Sequence, residues 1–304
     1  MSERKALWLR ITVLVEDCAA YDVRSILGQH GLSILAEVGG EEGVKRVLID
    51  VGQTFTVVER NASVLKLLRP LRNLDAITLS HNHYDHTGGL PSMLKWLGRP
   101  EGTVPVYAHP QALEESVVIR GGRRFKVGVP ATPKELVRRG ADLRLVRNPT
   151  QVEGVPGTYF LGEVPRVRGP EPRVKDNYLV LKDGGLVPHP LRDDTGVAIV
   201  VEGYGAVVIA GCSHSGILNI VEHASRVTGE TVRAVVGGLH LLSSPEAAVR
   251  EVSRGLREAG VEELHVGHCT GFKPLCILSR EWGDSLRKIH SGYTASWGGP
   301  RSAG

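Results

Sequence analysis

Residues 78–90 read Thr78-Leu79-Ser80-His81-Asn82-His83-Tyr84-Asp85-His86-Thr87-Gly88-Gly89-Leu90. Four metal-capable side chains, His81, His83, Asp85 and His86, fall within six positions, a density that points to a metal centre. The flanks define its geometry. Leu74 to Ser80 is a short apolar run bounded by polar residues and predicts a buried strand, so the cluster sits at a strand's exit. Side chains alternate faces in extended chain, so His81 and His83 project to one side and can share an ion. Asp85 and His86 follow where the chain must turn. Thr87, Gly88 and Gly89 are expected to allow that turn, and Leu90 to Leu97 is expected to be a helix, so that Asp85 and His86 face a second ion beside the first. Imidazole and carboxylate donors suit Zn²⁺, Fe or Mn²⁺ better than Ca²⁺ or Mg²⁺. The competing reading is a polar loop of hydrogen-bonding histidines.

The segment resembles the metal-binding signature of the metallo-β-lactamase fold superfamily, and other stretches match that pattern in order. Val47-Leu48-Ile49-Asp50-Val51-Gly52 resembles the early strand ending in Asp-x-Gly. Ala206 to Gly211 with Cys212-Ser213-His214-Ser215-Gly216 resembles the later strand whose end supplies further ligands, and Val266-Gly267-His268-Cys269-Thr270-Gly271 resembles the last histidine motif. A narrower match, carried by Gln29-His30-Gly31-Leu32-Ser33, the Ser80 to Leu90 signature, Gly211-Cys212-Ser213-His214, Gly237-Gly238-Leu239-His240-Leu241 and His268-Cys269-Thr270-Gly271, is similar to the branch labelled dihydropterin-ribofuranosylaminobenzene-phosphate synthase-like. Together the matches span residues 11 to 271. The fold this implies is a four-layer α/β/β/α sandwich. A fold does not by itself fix the chemistry carried on it.

The resemblance implies a ligand set. His81, His83 and His214 would hold one ion, and Asp85, His86 and His268 a second. His268 follows a strand and precedes Thr270-Gly271, so it can project from a strand tip into the cleft. Many superfamily members place the third histidine on an earlier strand, but the aligned region here is Asp193-Asp194-Thr195-Gly196, and Cys212 occupies the bridging aspartate's position. Cys212 is then either a thiolate ligand or a buried small residue. Asp50 is expected to hydrogen-bond a ligand histidine or fix the loop, because metal-bound imidazoles commonly donate their other N–H to a carboxylate. His240, at a strand end, either touches substrate or metal or is structural. His109 resembles a strand-end histidine without a settled role, and His30, His189, His223, His265 and His290 are expected to be non-catalytic.

Composition agrees with one enzyme-sized globular unit: 304 residues, 41% hydrophobic and 23% charged, outside the disordered and fibrous classes. One domain over residues 1–304 is expected, because the motifs run from Asp50 to His268. No apolar run reaches membrane-spanning length, and Met1-Ser2-Glu3-Arg4-Lys5 lacks the apolar core of a signal peptide, which predicts a cytoplasmic protein. Cys18, Cys212, Cys269 and Cys276 show no disulfide framework, in keeping with a reducing compartment. A net charge of +4 favours a small anionic substrate rather than establishing nucleic-acid binding. Abundant arginine with little methionine or aromatic residue associates with thermophiles.

Along the chain, strands are expected at Leu9 to Val15, Ser33 to Val38, Arg46 to Asp50 and Val104 to Ala108, with a short element at Tyr21 to His30 and helices at Ala62 to Leu68 and Pro110 to Ser116. The second half predicts strands at Gly196 to Glu202, Ala206 to Ala210, Val232 to Val236 and Glu263 to Val266, and helices at Ile217 to Arg226 and Pro245 to Ala259. Between them, about residues 117–190 form a weakly patterned region expected to face substrate. Its basic group, Arg120, Arg123, Arg124 and Lys126, either contacts a phosphate or carboxylate or is a solvated hairpin edge.

A dinuclear site of this type implies hydrolysis by a metal-bound hydroxide on a phosphoester or related ester, with Asp85 both binding metal and orienting the attacking group. Two divalent transition-metal ions, with zinc favoured over iron or manganese, are the implied cofactors. The alternatives are a di-iron oxidoreductase on the same scaffold, whose relatives usually join a flavin domain, and a metal-retaining binding protein without catalysis.

Overall fold

Short runs of Val, Ile, Leu and Ala separated by glycine turns build two large sheets that pack face to face. The computed structural model describes residues 5–170, 178–182 and 184–299; residues 1–4, and residues 171–177 and 183 of the expected substrate-facing region, lie outside the described residues. Among these, the first sheet has the strand order Thr294–Gly298, Trp8–Val15, Ser33–Gly40, Gly43–Ile49, Ala76–Thr78, Val104–Ala108 and Ala141–Leu145. The second runs Leu286–Lys288, Glu263–Gly267, Val232–Gly238, Gly205–Ala210, Gly196–Val201, Thr158–Phe160 and Thr150–Gln151. A smaller sheet of the middle region, Gly185–Pro188, Tyr178–Lys182, Ser116–Arg120 and Arg123–Lys126, stands apart from both.

The central strands of the second sheet, Gly196–Val201, Gly205–Ala210 and Val232–Gly238, are almost wholly apolar and buried, as a sheet covered on both faces requires, whereas edge strands such as Thr294–Gly298 and Leu286–Lys288 are partly exposed. Leu9, Ile11, Val13, Ile34 and Val47 of the first sheet meet Val197, Ile199, Val207, Ile209 and Val236 of the second in a shared core. The outer face of the first sheet is covered by Phe55–Val64 and Leu90–Leu97, and that of the second by Ile217–Thr228, Glu246–Glu258 and Phe272–Trp282. The result is the expected α/β/β/α sandwich. Each buried Val, Leu or Ile contributes roughly 1.5–3 kcal/mol, comparable with the cost of one strained backbone position, about 1–3 kcal/mol. Several core side chains behind each strand end therefore outweigh a strained residue at its tip.

Such residues gather at one end of the molecule. Asp50, Ser213, His240 and His268 all have φ between 46° and 63°, and each lies within three residues of the end of a strand. Val47 to Ile49 pairs in parallel with Ala76–Thr78, and Gly205–Ala210, Val232–Gly238 and Glu263–Gly267 form a parallel set. Their carboxyl ends point to the same rim, where open α/β sheets commonly bind ligands.

Four local expectations are corrected. The helix predicted at Ala62 to Leu68 lies earlier, at Phe55–Val64, with Phe55, Val58, Asn61 and Ala62 buried. It stops where Lys66 takes a φ of 60°; the leucines beyond it mislead because they line a loop and the short helix Leu68–Arg72. Tyr21 to His30 forms no regular element. Its backbone leans on the buried Asn61, which donates to the Leu14 and Leu27 carbonyls at 2.7 and 2.8 Å and accepts from the Leu27 N–H. Pro110–Leu113 is a single 3₁₀ turn, and Ser116 already opens a strand.

The fourth correction concerns Gly88 and Gly89. Their φ values of −60° and −74° are right-handed helical, so no glycine freedom is required there. Close approach requires them instead. A Cβ at Gly88 would sit 2.4 Å from the Gln53 carbonyl oxygen, and one at Gly89 2.4 Å from that of Val51. The metal loop is thereby pressed onto the loop after Ile49, with Val51 N–H donating to the His86 carbonyl at 2.7 Å and Gly89 N–H to that of Gly52 at 3.1 Å. Replacing Gly89 by Ala should cost at least about 2 kcal/mol in chemical denaturation. Gly98→Ala, at an open helix terminus with φ of 60°, should cost only about 1 kcal/mol. Equal losses would refute the packing account.

Candidate metal centre

The strand Ala76–Thr78 delivers the loop bearing His81, Asn82 and His83, and the short helix Tyr84–Thr87 turns Asp85 and His86 inward. The second sheet brings Cys212 and His214 from beyond Ala210 and His268 from beyond Gly267. Two groups result. His83 Nδ1 lies 2.9 Å from His81 Nε2 and 3.2 Å from His214 Nε2. Asp85 Oδ2 lies 3.5 Å from both His86 Nε2 and His268 Nε2, which are 3.2 Å from each other. Ligand atoms around a tetrahedral ion with about 2.05 Å bonds stand about 3.3 Å apart, so both triangles have the size of a coordination sphere. Cys212 Sγ lies between them, 3.2 Å from His86 Nε2 and 3.4 Å from His268 Nε2, and groups also with His81.

The far sides of the rings are anchored. Asp50, fully buried, accepts from His86 Nδ1 at 2.6 Å, from the Ser80 hydroxyl at 2.6 Å and from the Ser80 N–H at 2.8 Å. Ser80 thus spends its hydrogen on Asp50 and can accept from His81 Nδ1, 2.9 Å away. His268 Nδ1 faces Asp17 Oδ2 at 2.6 Å, and its backbone N–H donates to Glu16 Oε1 at 2.6 Å. With their Nδ1 atoms turned to carboxylates, His86 and His268 point their Nε2 atoms at each other, 3.2 Å apart. A proton or a metal cation can sit between them, and the surrounding donor set of two imidazoles, a carboxylate and a thiol fits a transition-metal ion.

Charge distinguishes the two halves. Burial drives His83 down to about 3 and holds His81 and His214 well below the ordinary histidine value, so these rings are neutral donors needing no deprotonation. Burial also opposes a charged His86, but Asp85 and Asp50 outweigh it and carry that ring up to about 9. Burial, followed by Cys269, pushes the Cys212 thiol well up, so Cys212 ionises only beside a cation.

Asp193 and Asp194 stand where the family pattern has a histidine, and here they fasten the two ligand loops together. Asp193 Oδ2 accepts the Asn82 N–H at 2.8 Å, and Asp194 Oδ2 accepts the Ser215 N–H and hydroxyl at 2.8 and 2.6 Å. Burial and the neighbouring Asp194 push Asp193 up to about 7. The Tyr178 ring of the small sheet packs edge-on to His83 at 4.7 Å, and its hydroxyl donates to Asn82 Oδ1.

Of the remaining sequence candidates, His240 packs tilted against His214 at 4.1 Å between centroids and groups with Cys212 and Cys269. Arg120, Arg123, Arg124 and Lys126 lie on the exposed hairpin Ser116–Arg120 and Arg123–Lys126, where Lys126 pairs with Glu115 at 2.8 Å. The solvated-edge reading fits them. Near the rim, burial and Asp85 raise the Tyr84 hydroxyl, and the charge of Arg120 offsets them in part. His109 pairs with Glu163 at 3.3 Å, His223 with the Leu161 carbonyl, His265 with Glu263 and Tyr293, and His290 with the Ser291 carbonyl. His189 lies 3.1 Å from Asn82 Nδ2.

Sequence reasoning missed Asp17 and set His30 aside as non-catalytic, and the structure brings both to the edge of the centre. Asp17 Oδ1 lies 2.8 Å from His30 Nδ1, and His30 Nε2 lies 3.4 Å from Asp85 Oδ2. The available signal was the acidic pair Glu16-Asp17 directly after the strand Trp8–Val15, an exit equivalent to the one that carries Asp50.

The family described as Beta-lactamase superfamily domain matches residues 45–129, the stretch holding Asp50 and His81 to His86. The 7,8-dihydropterin-6-methyl-4-(beta-D-ribofuranosyl)-aminobenzene-5'-phosphate synthase of Methanocaldococcus jannaschii is 32% identical over 295 residues, covering 93% of this chain and 95% of that protein. An uncharacterized protein of the same organism is 30% identical over 270 residues, 89% of this chain and 94% of its own. Among solved structures, Tm1679, a metal-dependent hydrolase of the β-lactamase superfamily, superposes with a TM-score of 0.74 at 27% identity, covering 94% of this chain and 98% of that one. YhfI of Bacillus subtilis shares the fold at a TM-score of 0.53 and 16% identity, over 95% of this chain and all of that one. On its folding pattern and on a relative spanning nearly all of both sequences, the chain belongs to the metallo-β-lactamase fold superfamily, in the branch of the dihydropterin-ribofuranosylaminobenzene-phosphate synthase.

Proposed function

We propose that the protein is a metal-dependent hydrolase of a phosphoester or related ester in a small, anionic molecule. One divalent transition-metal ion, zinc by preference, is held by His81, His83 and His214, and a second by Asp85, His86 and His268, within one domain formed by the whole chain. The observation that carries this reading is the pair of facing donor triangles, each anchored from behind. Such ions, when bound, polarise a phosphoryl or acyl oxygen and make water acidic enough to attack at neutral pH. Asp85, on the rim side of the second triangle, orients the attacking water, and Cys212 supplies a thiolate between the two groups. Asp50, Ser80 and Asp17 fix the ring orientations, so little reorganisation is needed when substrate arrives.

A second reading is favoured by the 32% identical relative, whose name describes an aminobenzene phosphate joined to a dihydropterin methyl group. An aryl amine in place of water would turn the same site from hydrolysis to transfer. Assaying phosphodiesters, lactones, thioesters and pterin phosphates, with and without an aryl amine, separates the two. No helix among the described residues is long and apolar enough to cross a membrane.

Protein purified without chelator should carry close to two transition-metal ions per chain by elemental analysis; a metal-free but folded preparation sinks the mechanism. His83→Ala should lower turnover at least about 100-fold while leaving the circular dichroism spectrum intact, and an equally active variant refutes the assignment. Metal binding should also depend on pH in two ways. An ion at His86 must displace a proton held up to about 9, so its affinity should strengthen about tenfold per unit between about pH 6 and pH 8. The His81, His83 and His214 step, with His83 down near 3, should change little. Zinc titrations of chelator-treated protein giving two steps of equal pH dependence would contradict this.

A further inference from the structure

A second basic cluster lines an open cavity of about 760 Å³. That is the size of a small-molecule site, about 300–1,000 Å³, and no metal ligand is among its described lining residues. Arg147, Arg166 and Arg192 reach it from three separate stretches of chain, with Glu163 beside two of them. The walls are stiff. Glu163 N–H donates to the Arg147 carbonyl at 2.7 Å, and a Cβ at Gly162 would stand 2.3 Å from that same oxygen, so the two loops are pressed together. Arg166 Nη2 donates to the Leu191 carbonyl at 2.5 Å, and Pro149, Pro165 and Pro190 restrict the three stretches. The buried His109, whose Nδ1 accepts the Gln111 N–H at 3.1 Å, turns its Nε2 to Glu163 Oε2 at 3.3 Å and fixes that carboxylate from behind.

Positive charge exceeds negative there. Glu163 lies 3.2 Å from Arg147 Nη1 and 3.8 Å from Arg192 Nη1, so one carboxylate faces two guanidinium groups. Arg166 also has an acid within reach of its charge: burial raises the Asp194 carboxyl, and Arg166 is among the groups that offset it. Even with Arg166 set against Asp194, the described lining keeps one more guanidinium than carboxylate. Forked donors converging on one space match a phosphate group, which accepts them in pairs. Val164, the prolines and the ring of His223, tied through Nε2 to the Leu161 carbonyl at 2.9 Å, offer apolar surface to the rest of a ligand. We infer that this cavity is a second ligand site, distinct from the metal centre, which takes the phosphate group of a small organic phosphate ester. The inference stands independently of the proposed hydrolysis. Arg192 directly precedes Asp193 and Asp194, so the wall of the site and the clamp on the metal-ligand loops are one stretch of chain.

The test titrates phenylphosphonate, an ester analogue that hydrolysis cannot consume, into full-length protein by calorimetry, both metal-loaded and chelator-treated but still folded by circular dichroism. Chelator-treated protein should bind one molecule per chain, and metal-loaded protein should retain that site. Arg147→Gln and Arg192→Gln should each weaken it about tenfold with the melting temperature unchanged. The double variant Arg123→Gln, Arg124→Gln, which removes charge from the exposed hairpin, should change it less than about twofold. Inorganic phosphate should compete but bind at least about fivefold more weakly, because it leaves the apolar walls uncovered. Binding seen only with metal would place the anion at the ions and overturn the inference. Equal weakening by the hairpin variant would overturn it too, by showing attraction to net charge alone. Phosphate binding as tightly as phenylphosphonate would overturn the ester as the ligand.

Discussion

A single buried carboxylate organises the centre. Asp50 sits at the tip of a first-sheet strand without solvent and is satisfied by three donors, two from Ser80 and one from His86. A charge in that position is tolerated only because those bonds replace water. Through His86 it orients one donor triangle directly, and through Ser80 it orients His81 in the other. The arrangement has a steric requirement across the sheets: a Cβ at Gly211, on the second sheet's ligand loop, would strike Ser80 Oγ at 2.0 Å and approach Asp50 Oδ2 at 3.1 Å. Glycine there lets the two halves of the molecule close on one another.

The same economy recurs at the other anchors. Asp17 serves His268 and His30, while Asp193 and Asp194 serve the loops that carry His83 and His214. Donor atoms about 3 Å apart repel unless a proton or a cation lies between them, so the bonds on their far sides are needed to hold the rings in place. Sheets packed on a shared apolar core supply the rigidity, and the strained backbone at Asp50, Ser213, His240 and His268 shows where it is spent.

Much of this was legible in the sequence, for reasons that differ by element. The loop from His81 to His86 is local, and its spacing alone sets which rings share a side. Gly196 to Glu202 and Ala206 to Ala210 are unbroken apolar runs, and they form adjacent strands as expected. Asp50 was recognisable as an acidic residue closing a buried strand. By contrast, His30 lies in a stretch without periodicity whose backbone is held by Asn61 from a distant helix, so the Gln29-His30-Gly31-Leu32-Ser33 match gave no direction to its ring. Phe55–Val64 was misplaced because apolar residues in the loop behind it imitate a helical stripe. Gly88 and Gly89 looked like turn residues, although what they accommodate is a neighbouring carbonyl that sequence does not display. The helix Phe272–Trp282 and the strands Leu286–Lys288 and Thr294–Gly298 went unread.

The last of those strands has a consequence for how the molecule comes to be. Thr294–Gly298 pairs antiparallel with Trp8–Val15, with Leu9 opposite Trp297, and Asp17 reaches His268 across 251 residues of chain. These are contacts of very high order, whose loop-closure entropy is met only when nearly the whole polypeptide is available. During synthesis from the amino terminus, His81, His83, Asp85 and His86 therefore emerge long before the residues that complete their triangles. The growing chain passes through a stage with half a ligand set, and the packing of the second sheet, with His214 and His268 beyond its strand ends, onto the first is what brings the two halves together.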